Sequence, residues 1–129
     1  MTIAALLLTA LLFGGMVLYS FGFAAFVFSA LPSELAGRTL RRAFPHFYLF
    51  VIGVAALAAL VLVPVDRLSA ALMAGVALST VPARQILMPA INRATDTGAT
   101  GRFKVLHALS VALTLAHIAL AAAVLIRFV

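Results

Sequence analysis

FKVLHALSVALTLAHIALAAAVLIRFV, Phe103 to Val129, decides the fold class. Its 27 residues carry charge only at Lys104 and Arg127, near the two ends. A helix of that length runs about 40 Å, more than the roughly 30 Å of a bilayer's hydrocarbon core. Working outward, three further apolar spans cover residues 3–31, 44–63 and 68–89. The composition agrees: 66% of residues are hydrophobic and 9% charged. Mean hydropathy is +1.26, far above that of soluble domains, whose apolar share is about 45–50%. The chain reads as an all-α protein, a four-transmembrane-helix up-down-up-down bundle forming a single integral membrane domain over residues 1–129.

Charge fixes the expected orientation. The net charge of +6 does not mark a nucleic-acid surface, because the basic residues sit at span ends. Arg38, Arg41 and Arg42 lie in the first connection, and Arg93, Arg102 and Lys104 in or beside the third; Arg67 and Arg127 belong to the opposite side. The positive-inside rule then places the first and third connections in the cytoplasm and both termini outside, in the inner (cytoplasmic) membrane. The N-terminus lacks a basic region ahead of its apolar run, so the first span is expected to remain uncleaved. Cysteine is absent, which excludes thiolate ligands and cysteine nucleophiles.

Short connections of about a dozen, four and about a dozen residues make successive helices neighbours. Pro32, Pro64 and Pro89 lie near span ends, with Gly98 and Gly101 in the last connection. Pro82 is the exception: inside span three, one turn or so before Arg84, it removes a backbone hydrogen bond and predicts a kink. Gly15, Gly22, Ala25 and Ser29 form a small-residue ridge on span one, a packing seam at helical spacing; Tyr19 and Ser20 beside it are candidates to line a cavity. In the first connection Ser33 is a candidate N-cap for a short interfacial helix. Arg38, Arg41 and Arg42 would share one of its faces, suited to anchoring at headgroups or to contact with an anionic lipid.

Two longer stretches carry a family resemblance. From Phe13 to Phe50 the chain has Gly14, Gly15 and Met16, an aromatic-rich helix, then Ala36, Gly37 and Arg38, then Phe44 and Pro45 with Phe47 and Tyr48. Later come LMPAINR at Leu87 to Arg93 and a Phe103, His107, Ser110 entry into span four. In that order these elements resemble the transmembrane protein 205-like family of small four-helix membrane proteins. The resemblance implies a fold and a membrane location, not a reaction. Ala25 stands where that family often has proline, Thr114 where it often has asparagine, and His117 is outside its pattern.

The polar residues of span four pose the functional question. His107, Ser110, Thr114 and His117 fall at i, i+3, i+7 and i+10, an arc of about 80° on one helix face. In the structural reading the stripe faces the bundle interior and bonds across helices. In a cofactor reading, His46 on span two and His107 ligate a b-type haem or a metal between helices. His107 and His117 cannot share one iron, being about 15 Å apart along the axis. In a transport reading the stripe lines a passive polar path; the acids Glu34, Asp66 and Asp96 all lie in expected loops, so no carboxylate is placed for proton coupling. No paired carboxylates, HExxH, phosphate loop or nucleophile elbow is present, and no catalytic residue is assigned. The expectation is a structural or accessory membrane component, partnered by the bilayer and by a larger complex or a homo-oligomer. Haem or metal binding is the alternative.

Overall fold

The computed structural model describes residues 2–129. Four long helices account for nearly all of them: α1 (Ile3–Ala30), α2 (Ser33–Leu62), α3 (Arg67–Asp96) and α4 (Thr100–Ile126). Each is long and apolar enough to cross a membrane, so the chain is built as a multi-pass membrane protein. α1 packs against α2 and α4, and α3 against the same two.

The connections are shorter than the apolar pattern suggests. Leu31 and Pro32 separate α1 from α2, and residues 97–99 separate α3 from α4. The segment expected to form a separate interfacial helix is instead the first third of α2, running unbroken through Pro45. Charged residues end an apolar span without ending a helix, since Arg and Glu are good helix formers. Pro32, with extended backbone, precedes the first helical residue, so Ser33 lies inside the helix rather than capping it. Glu34 and Asp96 likewise belong to the ends of α2 and α3. Among the described residues Gly98 alone adopts positive φ, +69°, and supplies the reversal between α3 and α4 that other residues resist.

Two helices contain a π turn. In α3 it spans Ala83–Leu87, where the Met88 N–H donates to the Ala83 carbonyl five residues back. Pro82 and Pro89 bracket it, and neither can donate to the ladder; the disturbance expected at Pro82 takes this form. The turn in α1 spans Leu18–Phe23. It adds one residue to the helical count and rotates everything after it by about 100°. The small-residue ridge is therefore split: Gly15 lies against Phe50, whereas Ala25 and Ser29 are exposed.

The core has two textures. Toward the basic connections it is aromatic: Tyr19 stacks on Phe47 with ring centroids 4.8 Å apart, and Phe44 stands edge-on to both. Toward the other end it is small and aliphatic, with Ala55, Ala58, Leu62, Met73, Ala121 and Val124 buried. Alanines let α2 and α3 approach closely, which is how membrane helices gain dispersion contact without a hydrophobic driving force.

Candidate functional site

Four polar residues inside the spans, Tyr48, Ser79, Ser110 and His117, form a seam joining α2, α3 and α4. Tyr48, buried on α2, reaches Ser110 on α4, with 3.2 Å between the two hydroxyls. Thr114 donates to the Ser110 carbonyl at 3.0 Å, the bond to the preceding turn that hydroxyls make inside helices. His117, 6% exposed, lies with Nε2 2.7 Å from Ser79 Oγ on α3. Ser79 Oγ is also 2.7 Å from the Gly75 carbonyl. A carbonyl only accepts and a hydroxyl has one proton, so Ser79 donates to Gly75 and the imidazole Nε2–H donates to Ser79.

Arg84 sits within the π turn of α3 and donates from Nε to the Pro45 carbonyl of α2 at 3.2 Å, and to Gln85 at 2.9 Å. The guanidinium finds acceptors on its own protein, as an arginine within an apolar span requires. It is thus fixed to a neighbouring helix.

Two ionic contacts tie the helix ends. Arg41 grips Asp96 bidentately at 2.6 and 2.8 Å. At the other end Asp66 caps α3, accepting from the Leu68 and Ser69 amides, and also accepts from Ser69 Oγ at 2.6 Å and Arg127 Nε at 2.8 Å. The Arg127 guanidinium, and then the Ser69 hydroxyl, hold the Asp66 carboxyl well below the usual carboxylate range.

The sequence-predicted residues have different neighbours. His46 is exposed and lines a groove against α1, whereas Tyr48, about 200° around the helix, is the residue that faces α4. His107 is also exposed and stacks on Phe103 of its own helix, rings 5.4 Å apart and nearly parallel. No contact joins these two imidazoles among the described residues, and no cluster of three His, Asp or Glu side chains is suited to a metal ion. Of the stripe, Ser110 and His117 reach other helices. Of the arginine trio, Arg41 is engaged by Asp96, Arg38 lies 3.4 Å from Glu34, and Arg42 has no ion-pair partner among the described residues. Tyr19 lines the groove and donates to the Ala43 carbonyl at 2.9 Å. The Ser20 hydroxyl is buried without a partner among the described residues.

Ser79 and Tyr48 complete the seam, and sequence reasoning did not single them out as partners. Ser79 and Thr80 form a polar pair in an apolar span, the one signal that could have marked α3 as the facing helix. Grooves flank the bundle among the described residues. One of about 660 Å³ between α1 and α2 is lined by Gly15, Tyr19, Gly22, Phe26, His46 and Phe50 among others. The second, about 620 Å³ between α2 and α3, is lined mostly by alanine and leucine.

Comparison with known proteins finds one family, described as a domain of unknown function, DUF4149, matching residues 7–100. The match covers α1 to α3 and stops where α4 begins, so the α4 half of the seam lies beyond it. No curated protein and no solved structure matches.

Proposed function

We propose that this chain, which belongs to the DUF4149 family of domains of unknown function, is a small polytopic protein of the inner membrane serving as a structural or accessory component of a membrane assembly. One observation carries the reading. Two pairs of polar side chains within the spans bond across helices, Tyr48 to Ser110 and Ser79 to His117. Such pairs orient helices; in membrane bundles they contribute about 0.6 kcal/mol each on average. Their hydrogen-bonding capacity goes to the bundle itself rather than to a reacting group. The outward faces carry large apolar side chains, with Leu60, Leu78, Ile86 and Val105 each about 70% exposed, suited to lipid or to a neighbouring membrane helix.

An up-down-up-down arrangement with both termini outside accords with the ionic contacts. Arg41 with Asp96 ties the N-terminal third of α2 to the C-terminal end of α3, and Arg127 with Asp66 brings the C-terminal end of the chain to the second connection. The basic residues gather at the former end, as the positive-inside rule requires of a cytoplasmic face. The same architecture is the one the resemblance to transmembrane protein 205-like proteins implies.

The test is extraction in native nanodiscs followed by mass measurement and cross-linking. The accessory reading expects the chain within a larger complex or homo-oligomer. A chain recovered only as a monomer, with an activity of its own, overturns it.

A further inference from the structure

We infer that the groove between α1 and α2 is a binding site for one anionic phospholipid, its phosphate held by Arg42 and His46 and an acyl chain lying along Gly15 and Gly22. The inference rests on the chain spanning a bilayer and is independent of the accessory role.

The groove demands an amphipathic occupant. Its walls are apolar except for Tyr19 and His46, and the Tyr19 hydroxyl is already engaged by the Ala43 carbonyl. His46 is therefore the polar group available there, with imidazole N–H as a donor to a phosphate oxygen. Arg42 lies four residues earlier on α2 and so on nearly the same face, within about 6 Å at Cβ. Arg41, the neighbour most expected to share this work, is committed to Asp96. Arg38 extends the basic stripe a turn further, loosely tied to Glu34. An apolar slot with a cationic mouth matches a lipid that is anionic at one end and apolar along its length.

The slot has a built floor. A Cβ on Gly15 would meet Phe50 Cζ at 2.6 Å, so the missing side chain lets the Phe50 ring lie on α1 and form the base. Leu11, Leu18 and Phe26 on the α1 wall are 53%, 70% and 65% exposed, open to lipid. A second copy of the chain is the less suited occupant. A two-fold contact through this face would bring Arg42 and His46 of one copy toward the same groups of the other, with no acid among the lining residues to separate them.

The chain has two tyrosines and no tryptophan, which supplies the probe. In Tyr48→Phe, which loses one hydroxyl and keeps the ring, Tyr19 is the sole fluorophore. The variant is reconstituted into phosphatidylcholine vesicles doped with either phosphatidylglycerol or phosphatidylcholine brominated on the acyl chains. The site predicts Tyr19 quenching at a lower mole fraction of the anionic lipid. Arg42→Gln should raise the mole fraction for half-quenching about five-fold, the effect of one basic side chain at an anionic surface. Gly22→Leu, which obstructs the slot and leaves the charges, should also weaken quenching. Equal quenching by both lipids overturns the site, as does a phosphatidylglycerol preference unchanged by Gly22→Leu, which would reflect surface charge alone. Tyr19 shielded from both lipids, with copies cross-linking through α1, overturns it in favour of self-association. Native mass spectrometry of the unmodified chain gives a second readout: retention of phosphatidylglycerol over phosphatidylcholine supports the site, and no preference counts against it. Failure to recover a larger assembly leaves these results untouched, so the two readings fail separately.

Discussion

Ser79 Oγ and His117 Nε2 lie 2.7 Å apart across the α3 to α4 interface, with the Ser79 proton committed to Gly75. The pair is one-directional: the histidine needs the serine as acceptor, while the serine already has its own acceptor. Ser79→Ala should therefore destabilise the protein more than His117→Phe beyond what packing alone predicts. A double-mutant cycle, read by denaturation in mixed micelles, should give a coupling of about 0.6 kcal/mol, within the roughly 1.7 kcal/mol ceiling known for bundles. Zero coupling would mean that the contact contributes packing only.

The Asp66 cap predicts acid sensitivity. Arg127 and Ser69 lower the carboxyl below its ordinary value, so the folded state favours the ionised form more than the unfolded state does. A lowered folded value means a stabilisation that is fully present above about pH 5 and lost as pH falls below about 4. Asp66→Asn keeps a competent cap and removes the charge. Its stability in detergent should vary less with pH across the acid range than that of the parent chain. Parallel pH profiles would exclude the Arg127 contact as the cause.

Gly15→Ala should place a methyl group against the Phe50 ring, whose nearest atom would stand at 2.6 Å. The ring must swing into the groove, at a cost of about 1 kcal/mol, the low end for overpacking. Phe50→Leu should restore much of the loss in the double variant. Thermal unfolding of the four proteins measures this, and additive effects would refute the contact.

Because the chain contains no cysteine, single cysteines report sidedness without background. Arg42→Cys and Arg102→Cys should react with a membrane-impermeant maleimide from the cytoplasmic face, and Arg67→Cys from the opposite one. In Arg41→Cys with Asp96→Cys, the engaged positions should cross-link with a short bifunctional maleimide. Labelling of position 67 from the same side as 42 would overturn the proposed topology.

The spans were legible because a bilayer imposes length and apolarity on every crossing, and the four stretches from 3 to 129 satisfy both. The helix ends were not. Arg38 to Phe44 looks like a connection by charge, yet Arg38, Leu40, Arg41, Arg42 and Ala43 are good helix formers, and the arginines project from α2 without interrupting it. The α4 stripe identified an inward face through Ser110 and His117, since polar groups in hydrocarbon must find partners. Their partners depend on which helix stands opposite and on the reach of Tyr48, and neither is written in spacing along one chain. The pairing of Arg41 with Asp96 rather than with lipid was invisible for the same reason: the residues are 55 apart in sequence.

The π turn at Ala83–Leu87 acts as a phase setter for the end of α3. It contains one residue more than an α turn needs, and that surplus decides the azimuth of everything from Met88 to Asp96. Deleting a single residue there would restore regular winding and swing Asp96 by about 100°, away from Arg41. The clasp at one surface of the molecule is thus timed by a count made several turns deeper in the same helix.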